Sequence, residues 1–162
     1  MSTSTRNANT DNSREICLST WSEPRNGRLS LFSLHDLPNL LARILDVMDQ
    51  AGYGAADSFA VRLAVEEAAA NAVKHGHGHD PRKQVRIWWT VTSAWVRLVV
   101  EDEGRGFDPA IIPDPRLGEN RERPCGRGLF LMFTCMNRVR FNCTGNCVVM
   151  YRHRRQEVLA QC

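Results

Sequence analysis

The sequence predicts an α+β domain, a two-layer sandwich in which a mixed, mostly antiparallel sheet carries helices on one face. Segments rich in β-branched and aromatic residues are joined in pairs by short turns, as in hairpins. Apolar segments with helical spacing lie between these pairs. With 162 residues, 43% of them hydrophobic, the chain is long enough for one domain with a sizeable core.

The ends of the chain are polar and are expected to lie outside the domain. Residues 1–14 lack the apolar core of a signal peptide, so we expect a disordered tail there. Residues 15–156 are expected to form the single domain, and 157–162 a C-terminal tail. No apolar run approaches the ~20 residues that span a bilayer. A cytoplasmic protein without membrane contact is therefore expected.

Two candidate strands, "EICLSTW" and "GRLSLFSL", precede two predicted helices. The first helix begins near Asp36, a capping residue, and Pro38, which suits a first helical position. It ends at Gly52. Asp57 is expected to cap the second helix, which runs to about Gly76.

The second half of the chain predicts two hairpins around a long loop and a helix. "QVRIWWTVT" and "AWVRLVVED" form the first hairpin, with a tight turn near Ser93. An irregular segment rich in Gly and Pro runs from Gly104 to Arg127, and a helix opens on Gly128. "RVRFNC" and "CVVMYRHR" form the last hairpin, around residues 144–146.

Charge and cysteine content exclude several classes of site. The net charge of +3, from 21 Lys+Arg and 18 Asp+Glu, is too small to indicate nucleic-acid binding. The basic segment "YRHRRQ" lacks interleaved aromatic residues, so no direct nucleic-acid contact is expected. The six cysteines show no CxxC pair, which favours free thiols. Cys143, Cys147 and His153 lack the second ligand pair of a zinc site.

The long loop is bracketed by two glycine pairs, in "DEGRGFD" and "CGRGLFLM". Loops of this length in compact domains are usually lids or binding loops. Glycine lets the backbone approach a ligand closely. The second pair opens a helix, whose free N–H groups suit phosphate. Neither pair is a Walker A motif or a GxGxxG motif, so each is a weak signal alone.

The segment "VEEAAANAVKHG" places polar side chains on an otherwise apolar helix. Glu67 and Asn71 are four residues apart and share one face, which Lys74 and His75 extend toward the C-terminus. An amide oxygen suits Mg²⁺, which completes its shell with phosphate and water. A Glu one turn away could take a proton from an attacking hydroxyl or water. For this helix alone, a solvated polar stripe with a Glu–Lys pair is the simpler alternative.

In order, these three segments resemble the N box and the two glycine boxes of the GHKL ATP-binding superfamily, which has the Bergerat fold. The resemblance runs from about Asp36 to Arg154. Within the superfamily the chain resembles the small anti-sigma-factor serine/threonine kinases. The family fold is consistent with the two-layer architecture predicted above.

The resemblance implies ATP and Mg²⁺ as cofactors. It implies Glu67, rather than its neighbour Glu66, as the general base, Asn71 as the Mg²⁺ ligand and Asp102 as the acceptor for the adenine amine. The nucleotide-binding positions that it implies are Asn71, Lys74, His75, Asp102, Gly104, Gly106, Gly126, Arg127, Gly128 and Leu129. The lid holds Arg116, Arg121 and Arg123, next to Arg127, and any of these could stabilise the γ-phosphate.

The resemblance also implies partners and a regulatory role. The chain would act as a protein kinase and anti-sigma factor in transcription regulation, binding a sigma factor and phosphorylating a STAS-type anti-anti-sigma protein. A homodimer is expected. Two alternatives remain: a non-catalytic ATP-dependent protein-binding module, and an interaction protein that has lost nucleotide binding. Glu67 speaks against the first alternative, and Asn71 with Asp102 against the second.

Overall fold

A computed structural model describes residues 26–76, 78, 80, 82–109 and 127–155. In chain order the elements are β1 (Asn26–Leu31), α1 (Leu37–Gln50), α2 (Ala55–Asn71), β2 (Val85–Val91), β3 (Trp95–Asp102), α3 (Arg127–Cys135), β4 (Arg138–Phe141) and β5 (Cys147–His153). A 3-10 turn, Leu34–Asp36, precedes α1, and a π-helical turn, Ala72–Gly76, continues α2. The candidate strand "EICLSTW" and most of the long loop lie outside the described residues.

The five strands form one sheet in the order β1-β2-β3-β5-β4. Each described strand pair is antiparallel, including the two predicted hairpins, β2–β3 and β4–β5. The α+β sandwich is therefore confirmed, with no parallel pair among the strands that the structure describes.

The main core lies between the helices and one face of the sheet. Alternate residues of β2 point to the helices, because side chains of a strand alternate between its faces. Val85, Ile87, Trp89 and Val91 are buried there against α1 and α2 residues such as Ile44. Each fully buried aliphatic side chain of this kind stabilises the fold by about 1.5–3 kcal/mol. Among the described helices, none combines the length and apolar character that a membrane crossing requires.

The opposite face of the sheet carries a smaller apolar cluster. Val99, Cys147 and Val149 are buried in it, and Trp88 and Tyr151 pack against them. Cys147 is disulfide-bonded. The expectation of free thiols is therefore wrong for this residue, because the spacing of scattered cysteines does not reveal which of them meet in the fold.

The other described cysteines, Cys135 and Cys143, are free. Burial raises the pKa of the Cys135 thiol, which favours its protonated form.

The start of α2 differs from the sequence-based expectation. Gly54 occupies the N-cap position, and the Asp57 side chain does not cap the helix. Asp57 is instead buried, where its carboxylate accepts hydrogen bonds from Arg152 Nε at 2.9 Å and Arg155 N at 2.8 Å. The partner residues lie far along the chain, so local capping patterns could not reveal them. Asp36 does occupy the N-cap of α1, without a side-chain capping bond.

Candidate functional site

The candidate site lies where α2 and β3 end together, at one end of the sheet. The π-helical turn Ala72–Gly76 contacts the end of β3. There Gly76 lies directly against Asp102, and a β-carbon at position 76 would overlap the Asp102 carboxylate. The helix that carries the N box and the strand that leads into the first glycine box are thus joined at these two residues.

The first glycine box folds back over this contact. A β-carbon on Gly104 would overlap the main chain of Gly76. The Gly104 N–H donates to Asp102 Oδ1 at 2.7 Å, which holds the carboxylate in a fixed orientation. Glycine at position 104 is thus required by a close approach between two backbone segments of the protein itself.

Gly106 has a φ of +69°, which glycine adopts without steric cost. It lies against the carbonyl of Thr144, in the turn between β4 and β5. The next residue, Phe107, donates its N–H to Thr144 O at 3.0 Å. The Phe107 ring also meets the Phe141 ring edge-on, with centroids 5.2 Å apart. The first glycine box is therefore braced by the last hairpin.

The second glycine box lies on the polar stripe of α2. A β-carbon on Gly128 would lie 2.6 Å from Glu67 Oε2 and 3.2 Å from Asn71 Nδ2. The start of α3 thus sits directly over the predicted base and the predicted metal ligand, and α3 packs along α2 behind them. The spacing of Glu67 and Asn71 predicted a shared face, and both side chains do face Gly128.

The remaining predicted residues occupy the rim of this region. Lys74 and His75 lie in the turn after Asn71, and both are exposed. Arg127 is exposed at the start of α3, whereas Leu129 is partly buried and packs against the core. Gly126 and the lid arginines Arg116, Arg121 and Arg123 lie outside the described residues.

The chemistry of the described residues fits Mg-ATP. Asn71 offers an amide oxygen, which Mg²⁺ accepts beside phosphate and water ligands. The start of α3 offers backbone N–H groups to an anion. Asp102 offers carboxylate oxygens to an amine that can only donate. Within the described ranges there is no group of three or more His, Cys, Asp or Glu side chains that could hold a metal ion.

Sequence reasoning missed two parts of the site. The first is Gly76, which ends the N-box segment. A glycine at that position could have indicated a close approach by another part of the chain, because glycine has no side chain. The β4–β5 turn supplies Thr144 and Asn146, which contact Gly106 and Asp102. Asn146 is 44 residues from Asp102 in sequence, and no local pattern links them.

Comparison with known proteins gives one family and several relatives. A family model, described as the histidine kinase-like ATPase domain, matches residues 32–152. The protein named serine-protein kinase RsbW in Bacillus subtilis (strain 168) is 31% identical over 116 residues, covering 66% of this chain and 71% of that protein. The RsbW of Bacillus licheniformis is 31% identical over 103 residues, covering 58% of this chain. The match spans 62% of the length of the Bacillus licheniformis protein, less than two thirds.

Proposed function

The chain belongs to the histidine kinase-like ATPase (GHKL) family, in the branch that contains these serine-protein kinases, and on that premise we propose that it is an ATP-dependent serine/threonine protein kinase. The observation that carries the proposal is the contact of Gly128 with Glu67 and Asn71. It brings a carboxylate, an amide and the N–H groups of a helix start to one place. An ATPase domain that only bound nucleotide would not need the base.

The phosphate end of the site is assigned to α2 and α3. The Asn71 amide oxygen would hold Mg²⁺, and the N–H groups of Gly126, Arg127, Gly128 and Leu129 would donate to the phosphates. Lys74 and His75, exposed one turn beyond Asn71, would contact the phosphates at the rim. Mg-ATP supplies the phosphoryl group when it is bound.

The end of the site that would bind the adenine ring is assigned to Asp102. Its carboxylate would accept the hydrogen bond of the adenine amine, and the bond from Gly104 N keeps one carboxylate oxygen in place. Guanine presents a carbonyl oxygen where adenine presents its amine. A carboxylate repels that oxygen, so Asp102 would favour ATP over GTP.

Glu67 is assigned as the general base. Its carboxylate would take the proton of a serine or threonine hydroxyl as that oxygen attacks the phosphoryl group. The neighbouring Glu66 is committed elsewhere, because Arg62 Nε donates to its carboxylate at 3.0 Å on the exposed side of α2. Glu67, which faces Gly128, is therefore the carboxylate positioned for this role.

The proposed substrate is a STAS-type anti-anti-sigma protein, and the competing partner is a sigma factor. If the two partners use overlapping surfaces, the nucleotide state shifts the balance by its differential affinity. We also propose a homodimer. Phe32 and Leu34, which are 55% and 39% exposed beside the start of α1, offer apolar surface to a second copy. Sedimentation equilibrium would return the mass of one chain if this part of the proposal is wrong.

The nucleotide site is tested by calorimetry with ATP and Mg²⁺ on three proteins: the parent chain, Asn71→Ala and Asp102→Asn. We expect the parent to bind ATP and to prefer it to GTP. Asn71→Ala should lose the Mg²⁺-dependent binding, and Asp102→Asn should lose the preference for adenine. A parent that binds no ATP removes the kinase proposal altogether.

Catalysis is tested separately with Glu67→Gln. This variant should keep its affinity for ATP within a few-fold, because Gln preserves the shape beneath Gly128. Phosphate transfer to a cognate STAS protein should fall by about 10²–10⁴-fold, the usual contribution of a general base. Full transfer activity in Glu67→Gln would assign the base to another group.

A second candidate function is a non-catalytic module that binds a protein partner according to nucleotide state. One observation favours it: the start of α3 covers Glu67, with the Gly128 β-carbon position only 2.6 Å from Oε2. In this arrangement the start of α3 would compete with a substrate hydroxyl for the space beside the Glu67 carboxylate. Normal ATP binding by the parent, with no transfer to any STAS partner that binds it, would favour this module over the kinase.

A further inference from the structure

Asp102 is held by the turn between β4 and β5 as well as by its own strand. The Asp102 N–H donates to Asn146 O at 2.9 Å. The Asn146 side chain returns a second bond, from Nδ2 to Asp102 O at 3.2 Å. One residue thus holds the main chain of Asp102 on both sides of its Cα atom.

The orientation of the Asn146 amide is determined by its other partners. Its Oδ1 accepts from Asn142 Nδ2 at 2.8 Å and from Thr144 Oγ1 at 2.6 Å. An amide oxygen accepts and an amide nitrogen donates, so with both donors on Oδ1 the nitrogen must face Asp102. Asn142 is itself fixed, because its Oδ1 accepts from Cys147 N at 3.2 Å.

The same turn fixes the segment that follows Asp102. Thr144 O accepts from Phe107 N, and Gly145 lies against the Phe107 main chain. Asp102 and Phe107 are thus both attached to one turn, with the glycines of the first glycine box between them. Movement of this turn would move the carboxylate and the adjacent backbone together.

We infer that Asn146 is a positioning residue for nucleobase specificity: it holds the main chain of Asp102, and through it the position from which the carboxylate distinguishes adenine from guanine. The inference rests on the proposed nucleotide site and adds a residue to it. An ionised carboxylate has about four acceptor positions, so its direction, rather than its presence, decides which hydrogen bond it accepts. A loosened Asp102 would still bind nucleotide, but it would select adenine poorly.

The test measures the affinities for Mg-ATP and Mg-GTP, by calorimetry, in the parent and in Asn146→Ala. We expect the ratio of the two affinities to fall by about tenfold, which corresponds to the loss of one well-placed hydrogen bond. The fall should come from weaker ATP binding, with GTP binding nearly unchanged. Thr144→Val provides a second variant, because it removes one bond to Asn146 Oδ1 at an exposed position and should lower the ratio by a few-fold.

Asn137→Ala is the matched control. Asn137 Oδ1 accepts from His153 N at 2.8 Å, so this variant loses an amide-to-backbone bond of the same kind at the opposite end of β5. It should lose similar thermal stability and keep the parent ratio. A parent ratio retained in both Asn146→Ala and Thr144→Val would overturn the inference while leaving the nucleotide site intact. A parent that binds no ATP, or binds ATP and GTP equally, would overturn the nucleotide site and the inference together.

Discussion

At the residue scale, the glycines of the site are required by contacts within the protein. Gly76, Gly104 and Gly128 each lie where a β-carbon would meet another part of the site: the Asp102 carboxylate, the Gly76 main chain and the Glu67 carboxylate. These contacts place the three boxes against one another. At Gly76 and Gly128 the added atom would meet a side-chain carboxylate, which can move, so a small side chain there should disturb ligand binding more than folding.

Gly76→Ala tests this expectation most directly. The added methyl group would overlap the Asp102 carboxylate, so Asp102 must move from its bond with Gly104 N. We expect ATP affinity to fall by at least about tenfold, since one displaced hydrogen bond to a charged group is worth about 1.5–3 kcal/mol. Titration with a fluorescent ATP analogue would measure the change, and thermal unfolding would show whether the fold persists.

Gly78→Ala is the control for Gly76→Ala. Gly78 has a φ of +58° and no atom within 4 Å of its β-carbon position, so alanine there adds backbone strain without a clash. The strain is about 1–2 kcal/mol. If Gly78→Ala weakens ATP binding as much as Gly76→Ala does, the contact with Asp102 is not the cause.

The arrangement of site residues could be predicted from the sequence only where it follows from spacing along one element. Glu67 and Asn71 share a face because they are one helical turn apart, and the structure confirms that arrangement. The contacts of Asp102 with Gly76 and Asn146 depend on how separate elements meet. Hydrogen bonds between distant elements leave no periodic trace, so sequence patterns could not supply them.

At the element scale, a buried ion pair ties the beginning of α2 to the end of the sheet. Arg152 on β5 and Asp57 on α2 are 7% and 2% exposed, with Arg152 Nη2 2.8 Å from Asp57 Oδ1. Arg152 Nη1 also donates to Cys135 O at 2.7 Å, at the last residue of α3. The two helices that form the site are thus fixed to one strand at their far ends.

Asp57→Asn should be strongly destabilising, because it leaves the Arg152 cation buried without a counter-charge. Removing one partner of such a buried pair lowers the free energy of unfolding by about 3–5 kcal/mol. Urea unfolding would measure the loss. Arg62→Ala serves as control, since the Arg62–Glu66 pair is 59% and 37% exposed and such surface pairs contribute about 0–1 kcal/mol. Similar losses in the two variants would show that the buried pair is not a major anchor.

The elements were largely predictable because their periodicities are strong. The helix stripe of α1 and the alternation in β2 gave the right element types, and the turns near Ser93 and at residues 144–146 gave the hairpins. The prediction that Asp57 caps α2 was wrong, because the Asp57 carboxylate binds the buried Arg152 side chain instead of the N–H groups at the helix start. Tertiary contacts overrode a local preference at that position.

At the scale of the whole molecule, the site joins both layers of the sandwich. Asp102 ends a strand in the middle of the sheet, whereas Glu67 and Asn71 lie on α2 and Gly128 begins α3. A ligand that contacts all of these residues would bind the folded state and not the unfolded chain. Nucleotide binding should therefore stabilise the entire domain.

Mg-ATP at about 100 times its dissociation constant should add about 2.7 kcal/mol to the free energy of unfolding. For a domain of this size, about 2–4 °C per kcal/mol gives a rise in the melting temperature of about 5–10 °C. Differential scanning calorimetry would measure the rise in the parent. Two controls accompany it: ATP with EDTA in place of Mg²⁺, and Mg-GTP in place of Mg-ATP. Asn71→Ala should show little rise, because without its amide oxygen Mg²⁺ no longer links the nucleotide to α2. An equal rise in Asn71→Ala, or an equal rise with GTP, would mean that the nucleotide stabilises the protein through residues other than those assigned to the site.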